Sequence, residues 1–511
     1  MLKRSRVLAS AAMVALVTGL GAPAWAETLK DAIALAYQTN PNLLAQRASQ
    51  RALDETVVQA RSGLRPTLSA SAGASYTRSD FPPVTQFVDT NNDGVPDTQI
   101  TTRSSESKSG NVGVSLSQNI WTAGRVARAI DEAQAGVLAG RENLRNVEQS
   151  VMLSVIQAYV NVNRDMQILA IRQENLNVLQ RQLEETTARF EVGEITRTDV
   201  AQAEASLAQS QSDLANAQAQ LSTSRAAYAA VVGQSPTELE AAPALPAIPT
   251  DFDAAVDTAL QRNPGVLAAA YRQQGAEAAV AAARAEYLPS IRATASYGGA
   301  TNDLRDLGEL ADRRSFNAGA TLSVPLFTGG LNRSRVAQAL EQANAAQINV
   351  EGQRREVLQS VSAAYAQVLS ARAGVAAGEE AVRAASVAAE GVRHEAQVGL
   401  RTTLDVLNQE VTLRAAQTGL ANARAAEYVA RASLLAAMGQ LEGPALNPDV
   451  EVYDAKSNFD RVQGRGALPW DGLVETLDRV ASPPIVGAVD APDAPVDAQL
   501  KGEAMRTAPR N

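Results

Sequence analysis

The sequence predicts an α+β membrane protein in which a small set of β-strands is continued by long helices with coiled-coil packing. Three observations predict this class. The chain contains itself twice, each copy carries two segments of strictly alternating polarity, and each copy carries long runs with apolar residues seven positions apart.

The duplication is read from a constant offset. Asn40-Pro41 returns as Asn263-Pro264 and Pro66 as Pro289, both displaced by 223 positions. Trp121-Thr122-Ala123-Gly124 returns as Phe327-Thr328-Gly329-Gly330, displaced by 206; Tyr159, Val192-Gly193, Asp199 and Gly233 return at that same offset as Tyr365, Val398-Gly399, Asp405 and Gly439. Self-similarity at fixed register marks a duplicated structural unit. The offset changes between residues 77 and 110, where the first copy is 17 residues longer. Such insertions sit in exposed loops, so a lengthened surface loop is expected there.

Residues 1–26 read as a signal peptide. Lys3, Arg4 and Arg6 form a basic start, Val7 to Leu20 an apolar stretch short for a spanning helix, and Ala24-Trp25-Ala26 a cleavage site before Glu27. Cleavage takes the formal charge from −9 to −12 with the loss of three basic residues, and an acidic exported chain is a poor partner for nucleic acid. The chain has no cysteine, which excludes disulfides, cysteine-bound metals, thiol nucleophiles and lipid attachment at an N-terminal cysteine. The single histidine, His394, falls in a predicted helix beside Glu395 and reads as a solvated helix-face residue. With no phosphate-binding loop and no zinc-binding H-E-x-x-H, the sequence offers no enzyme chemistry, and no cofactor is expected.

Repeat 1 is placed at 27–234 and repeat 2 at 251–441, joined by a linker at 235–250 and followed by a segment at 442–480 and a Pro-rich, disordered tail at 481–511. Each repeat opens with a short helix, Leu29 to Gln38 or Phe252 to Gln261. The Asn-Pro pair then starts a second helix, since proline suits the first helical turn. Strands follow at about 66–77 and 111–121, and at about 290–298 and 315–326. In the first, Leu68, Ala70, Ala72, Ala74 and Tyr76 alternate with Thr67, Ser69, Ser71, Gly73 and Ser75. About ten residues with one apolar and one polar face is the pattern of a transmembrane strand; a half-buried sheet in a soluble domain has the same alternation. Long helices close each repeat. Val155, Val162, Leu169, Leu176, Leu183 and Phe190 recur every seven residues, as do Val200, Leu207, Leu214, Leu221 and Tyr228 after the Val192-Gly193 break. That spacing predicts coiled-coil packing; on the helices alone, a soluble antiparallel rod fits equally. Four strands do not close a membrane barrel, and open edges are forbidden in lipid, so several chains must share one barrel: two give eight strands and three give twelve.

The chain resembles the TolC family of outer-membrane channel proteins over about residues 28–442. The resemblance is carried by T-x-x-x-A-I-x-x-A-x-x-x-N-P-x-L at Thr28 to Leu43, by V-G-x-x-x-x-x-D-V at Val192 to Val200 and again at Val398 to Val406, and by the joins at Trp121 to Gly124 and Leu326 to Gly330. It implies a homotrimer with a twelve-stranded outer-membrane barrel on a twelve-helix periplasmic tunnel, the linker and the 442–480 segment forming an equatorial region. The implied function is passive conduction, as the exit duct for an inner-membrane pump of the ABC or RND type reached through a periplasmic adaptor protein. The cargo is secreted protein (type I secretion), effluxed small molecules, or both. The missing lipidation cysteine fits the branch that includes type I secretion ducts. The resemblance also implies a gate at the tip turns Val192-Gly193 and Val398-Gly399, held by Arg401 from the second turn with Thr198 and Asp199 from the first. Asp405 would line the constriction as a ring of carboxylates. The chain departs from the family at Asn408, where a second acidic residue is common, and at Ala396, where tyrosine is common before the turn. The competing function is a non-conducting envelope-spanning structural or adhesive coiled coil.

One motif stands apart from the resemblance. Asp89, Asn91, Asp93, Gly94, Val95 and Asp97 follow D-x-N-x-D-G-x-x-D in the lengthened loop. Alternating oxygen ligands, a turn glycine and the Val95 carbonyl suit a weak calcium site. Ile100 stands where the usual glutamate closes such a loop, and a merely solvated acidic loop has the same composition.

Overall fold

The computed structural model describes residues 27–88, 94 and 98–487. The expected signal peptide and the tail beyond residue 487 lie outside the described residues. The first repeat forms α1 (Leu29–Thr39), α2 (Pro41–Ser62), β1 (Thr67–Val88), β2 (Thr98–Trp121), α3 (Arg125–Glu191) and α4 (Arg197–Val232). The second forms α5 (Phe252–Arg262), α6 (Pro264–Ala285), β3 (Ser290–Thr301), α7 (Glu309–Asp312), β4 (Arg314–Ser323), α8 (Leu331–Gln397) and α9 (Thr403–Ala437). The C-terminal segment adds α10 (Gly443–Leu446), α11 (Ala455–Val462) and α12 (Asp471–Arg479). No helix among the described residues is long and apolar enough to cross a membrane.

The duplication is visible in the elements. α3 and α8 are each 67 residues long, about 100 Å at 1.5 Å per residue. The Asn-Pro pairs start α2 and α6 as expected: Asn40 Oδ1 accepts from the Asn42 N–H at 3.0 Å and Asn263 Oδ1 from the Gly265 N–H at 2.8 Å. Each cap satisfies a backbone donor that the first helical turn leaves open.

The chain divides into two compact units that do not follow the repeats. One holds residues 27–36, 154–245 and 374–429, which are helical apart from turns and the linker. Residues 235–245 of the linker form neither helix nor strand apart from a bridge, Glu27 to Leu239 in parallel. The Glu27 carboxylate accepts from Tyr228 at 2.6 Å and Gln234 at 2.9 Å, and its carbonyl accepts from Tyr159 at 2.9 Å. Both tyrosines are fully buried, and burial pushes their hydroxyl pKa values up. Val155, Val162, Leu221 and Tyr228 occupy the seam that the seven-residue spacing predicts. Further along α3 the seam departs from that reading. Leu179 and Thr186 are buried while Phe190 is 41 % exposed, because a straight helix drifts against a strict seven-residue repeat.

The other unit holds residues 37–153, 246–373 and 430–487. It contains one antiparallel sheet in the order β1-β2-β3-β4. The ladders align the apolar residues across all four strands: Ala70 pairs Val114, Val114 pairs Tyr297, and Tyr297 pairs Phe316. The other face is polar; Ser69 pairs Ser115, Ser115 pairs Ser296, and Ser296 pairs Asn317. The Ser69 and Ser115 hydroxyls are 2.7 Å apart. The first hairpin corrects the expected strand lengths. β1 and β2 run for 22 and 24 residues, so most of the insertion prolongs the ladder instead of forming a loop. Its residues pair onward, with the Ser75 and Ser109 hydroxyls at 2.7 Å and Arg78 3.7 Å from Glu106. β4 in contrast ends at Ser323, leaving Val324 to Phe327 outside the strand. The C-terminal segment packs back onto the start of the unit: Phe459 and Val474 join the core of Val57, Leu64, Val126, Ile130 and Val137.

Candidate functional site: the helix tips and the two-faced sheet

The helix-tip turns are built twice by the same chemistry. Gly193 and Gly399 take φ of +80° and +78°, the left-handed conformation that glycine reaches without strain. In the first turn the Glu194 N–H bonds the Arg189 carbonyl and the Gly193 N–H the Phe190 carbonyl; in the second, Leu400 bonds Glu395 and Gly399 bonds Ala396. These are Schellman ends, which close the carbonyls of a helix. The next helix then opens with a threonine and an aspartate three residues on. Asp199 Oδ2 accepts from the Thr196 N–H at 2.9 Å and its hydroxyl at 2.7 Å. Asp405 Oδ2 accepts from the Thr402 N–H at 3.0 Å and its hydroxyl at 2.9 Å. The threonine hydroxyl and backbone N–H hold the Asp199 carboxyl below its ordinary range. The Thr402 backbone N–H, then its hydroxyl, do the same for Asp405. Both aspartates are therefore ionised, and both serve as capping groups, a local role that T-x-x-D at each site makes readable.

The expected gate residues lie at these turns. Arg401 is exposed and its Nε sits 2.8 Å from Glu395 Oε2 in the same turn, and this pairing raises its pKa. Glu395 is thus a partner that the sequence reading missed. Thr198 is exposed on the first turn of α4. No bond between Arg401 and Thr198 or Asp199 forms among the described residues of the single chain. Val192, Val398 and Leu400 are 73 %, 71 % and 75 % exposed, so each turn presents apolar side chains.

Two polar links inside the helical unit were also missed. Glu410 on α9 is 2 % exposed; it pairs with Arg393 of α8 and, at 3.3 Å, with Arg414 one turn on. Asn175 of α3 donates to Ser210 of α4 at 3.0 Å. Both occur where a polar residue stands in a helix seam, a signal present in the sequence but obscured by its Ala- and Ser-rich background. His394 is exposed on α8. The residues expected to bind calcium, Asp89, Asn91, Asp93, Val95 and Asp97, lie outside the described residues; Gly94 between them has φ of +90°. Among the described residues no cluster of three or more metal-ligating side chains occurs.

In the other unit, the sheet has an exposed apolar face from its helical foot up to Tyr76: Leu68 is 72 % exposed, Phe316 70 % and Leu322 61 %, while opposite Tyr76 and beyond it the same face carries Lys108, Arg78 and Glu106. Large exposed apolar patches mark contact with lipid or protein. The opposite face is lined with Ser, Thr, Asn and Gly, as a water-filled lumen requires.

Comparison with known proteins gives the same answer. A family model described as outer membrane efflux protein matches residues 32–234 and 255–440, one match per repeat. The outer membrane efflux protein BepC of Brucella suis is 34 % identical over 474 residues, covering 92 % of this chain and 97 % of the relative. The outer membrane protein TolC of Vibrio cholerae is 28 % identical, covering 83 % of this chain and 93 % of the relative. The solved MtrE outer-membrane channel of Neisseria gonorrhoeae, in its open state, has a TM-score of 0.66 at 24 % identity, covering 83 % of this chain and 91 % of that one. Duplicated helix–strand order, a two-faced membrane sheet and full-length similarity agree: the chain belongs to the outer membrane efflux protein family and is a channel protein of the outer membrane.

Proposed function

We propose that three copies of this chain form one channel, a twelve-stranded barrel continued by a tunnel of twelve long helices. One observation carries the reading: the sheet has four strands with an apolar outer face, and β1 and β4 are both unpaired edges. Edges of this kind are not tolerated in lipid, so β4 of one copy must pair with β1 of the next. Twelve strands leave room for a conducting lumen where eight are filled by side chains. The channel receives cargo from an inner-membrane transporter of the ABC or RND type through a periplasmic adaptor. Efflux of small molecules is the first reading, supported by the family description. Type I protein secretion is the second, favoured by the absence of a lipid-attachment cysteine.

Arg401, Thr198 and Asp199 act as the gate across neighbouring hairpins, and Asp405 supplies the carboxylate ring that selects cations. This reading is supported by their common position at the two tip turns and by the ionised state of both aspartates. Weak calcium binding by Asp89, Asn91, Asp93, the Val95 carbonyl and Asp97 is proposed on residue order alone, and calorimetry with Asp93→Ala as control tests it.

The decisive experiment is planar-bilayer recording on purified protein whose mass has been measured in detergent. Discrete conductance steps from a trimer support the channel; a trimer without conductance returns the chain to the non-conducting coiled-coil reading.

A further inference from the structure

α12 is built in reverse of a helix that faces water. Apart from Val474, which joins the core around Val57 and Ile130, its inward residues are acidic. Asp471 meets Arg65 at 2.8 Å, and Glu475 lies 3.4 Å from Arg479 and 4.0 Å from Arg61. Asp478 is fully buried; it accepts from the Thr122 N–H, from the Thr122 hydroxyl at 2.8 Å and from the Ala127 N–H at 3.1 Å. Outward it shows Thr476 and Arg479 on one side and a stripe of apolar residues on the other. Leu473 is 76 % exposed, Val480 58 %, Trp470 46 % and Leu477 45 %. These four recur at intervals of three and four, the spacing of a single helical stripe. A helix in water places its apolar stripe inward; four exposed apolar residues in one stripe, beside inward carboxylates, mark a contact surface.

The position of the helix says what that surface contacts. The indole N–H of Trp121, the last residue of β2, donates to the Val480 carbonyl at 3.1 Å. Trp121 pairs with Ile291 beyond the bulge that follows Asn119. Directly paired residues share a face, so Trp121 stands on the apolar face with Ile291, Ala293 and Tyr297. The apolar stripe of α12 therefore starts where the lipid-facing surface of the sheet ends, at the helical foot of β2. β2 is an interior strand, flanked by β1 and β3 of the same chain, whereas a neighbouring copy joins at β1 or β4. Asp471 at the other end of the helix reaches Arg65, just before the edge strand β1, so a second copy could also approach; lipid is the surface continuous with the stripe at its Val480 end.

We propose that α12 is an interfacial anchor lying in the periplasmic leaflet of the outer membrane, with Trp470, Leu473, Leu477 and Val480 against the acyl chains. The inference rests on the outer-membrane location established above. A nine-residue helix is about 14 Å long, far too short to span a core of about 30 Å, but an amphipathic helix lying in the interface needs only one apolar face. Tryptophan at the stripe's first position suits the headgroup boundary. The Arg65 and Thr122 contacts, with Arg479 reaching Asp131 of α3 at 2.9 Å, fix the helix to the body of the unit, so the anchor is rigidly coupled to the barrel foot.

The chain has no cysteine, so single cysteines report cleanly. Leu473→Cys and, separately, Leu477→Cys are spin-labelled in the full-length protein in phospholipid vesicles, with His394→Cys on the exposed face of α8 as the aqueous control. Collision rates with dissolved oxygen and with a water-soluble nickel chelate are compared. The expected result is an oxygen rate several-fold above that of the control and a nickel rate several-fold below it at both positions. Nickel accessibility equal to the control places the stripe in water, and low accessibility to both reagents places it under protein; either result overturns the proposal. Agreement between the two positions, with conductance unchanged, guards against a local effect of the label.

Discussion

Glu148 shows how burial acts at a single residue. It lies on α3, and burial pushes its carboxyl above the ordinary value of 4.5, with Glu442 adding to the effect. The Gly443 N–H at 3.4 Å and the neighbouring Arg47 and Tyr37 oppose the shift. The sign follows from linkage. A raised folded pKa means that the protonated form fits the site, so the contribution is full below about 4.5 and is lost as pH rises through the folded pKa. Glu148→Gln retains the acceptor for Gly443 without the charge. It is expected to raise the unfolding midpoint at pH 8, with the gain shrinking to nothing near pH 4; thermal scans across that range check it. Glu410 is a buried carboxylate paired with two arginines. Removing one partner of a buried pair strands the other. Glu410→Ala is expected to cost about 3 kcal/mol locally, because Arg414 remains 8 % exposed without its partner. Hydrogen exchange across residues 374–429 measures that loss, and Glu410→Leu with Arg414→Met should restore most of the protection.

At the scale of the elements, the sheet is the test of lipid against lumen. Val114 stands on the apolar face, paired with Ala70 and Tyr297, and Ser115 beside it on the polar face, paired with Ser69 and Ser296. Val114→Arg is expected to cost roughly 2–4 kcal/mol in a bilayer, read as a lower urea midpoint in vesicles. Ser115→Arg should leave that midpoint nearly unchanged and shift the reversal potential toward anions. Alternation made these faces legible from sequence, and the Asn-Pro pairs and tip glycines marked the helix starts and ends, because each is a local signal. Strand length was not legible past Thr77. Residues such as Arg78, Ser79 and Asp80 carry no apolar alternation, and only pairing with Ser104 to Glu106 holds them in the ladder. The drift of the α3 seam was hidden for a related reason. Leu176, Leu183 and Phe190 keep the seven-residue repeat, but geometry turns them away from the hairpin's own seam, so the repeat describes an apolar stripe without saying what covers it.

In the proposed trimer the behaviour of the whole molecule depends on how three copies meet at their tips, and there Glu395 changes the expected signs. In the single chain Arg401 is held by Glu395 at 2.8 Å, in a link that is about half exposed on both sides. Exposed pairs are weak and are screened by salt, so Arg401 is available to exchange partners when another hairpin brings a carboxylate or hydroxyl close. In the proposed trimer those partners are Asp199 and Thr198, and Glu395 competes with them for one guanidinium. Arg401→Ser removes the gate contact and is expected to raise single-channel conductance several-fold. Glu395→Gln removes the competitor, leaves Arg401 to the gate, and is expected to lower conductance or lengthen closed times. A local ion pair with no part in gating predicts no change for either substitution, and a purely structural one predicts the same direction for both. Opposite signs, with both effects diminishing between low and high salt, belong to the competition alone. Paired recordings of the two variants at low and high potassium chloride decide it.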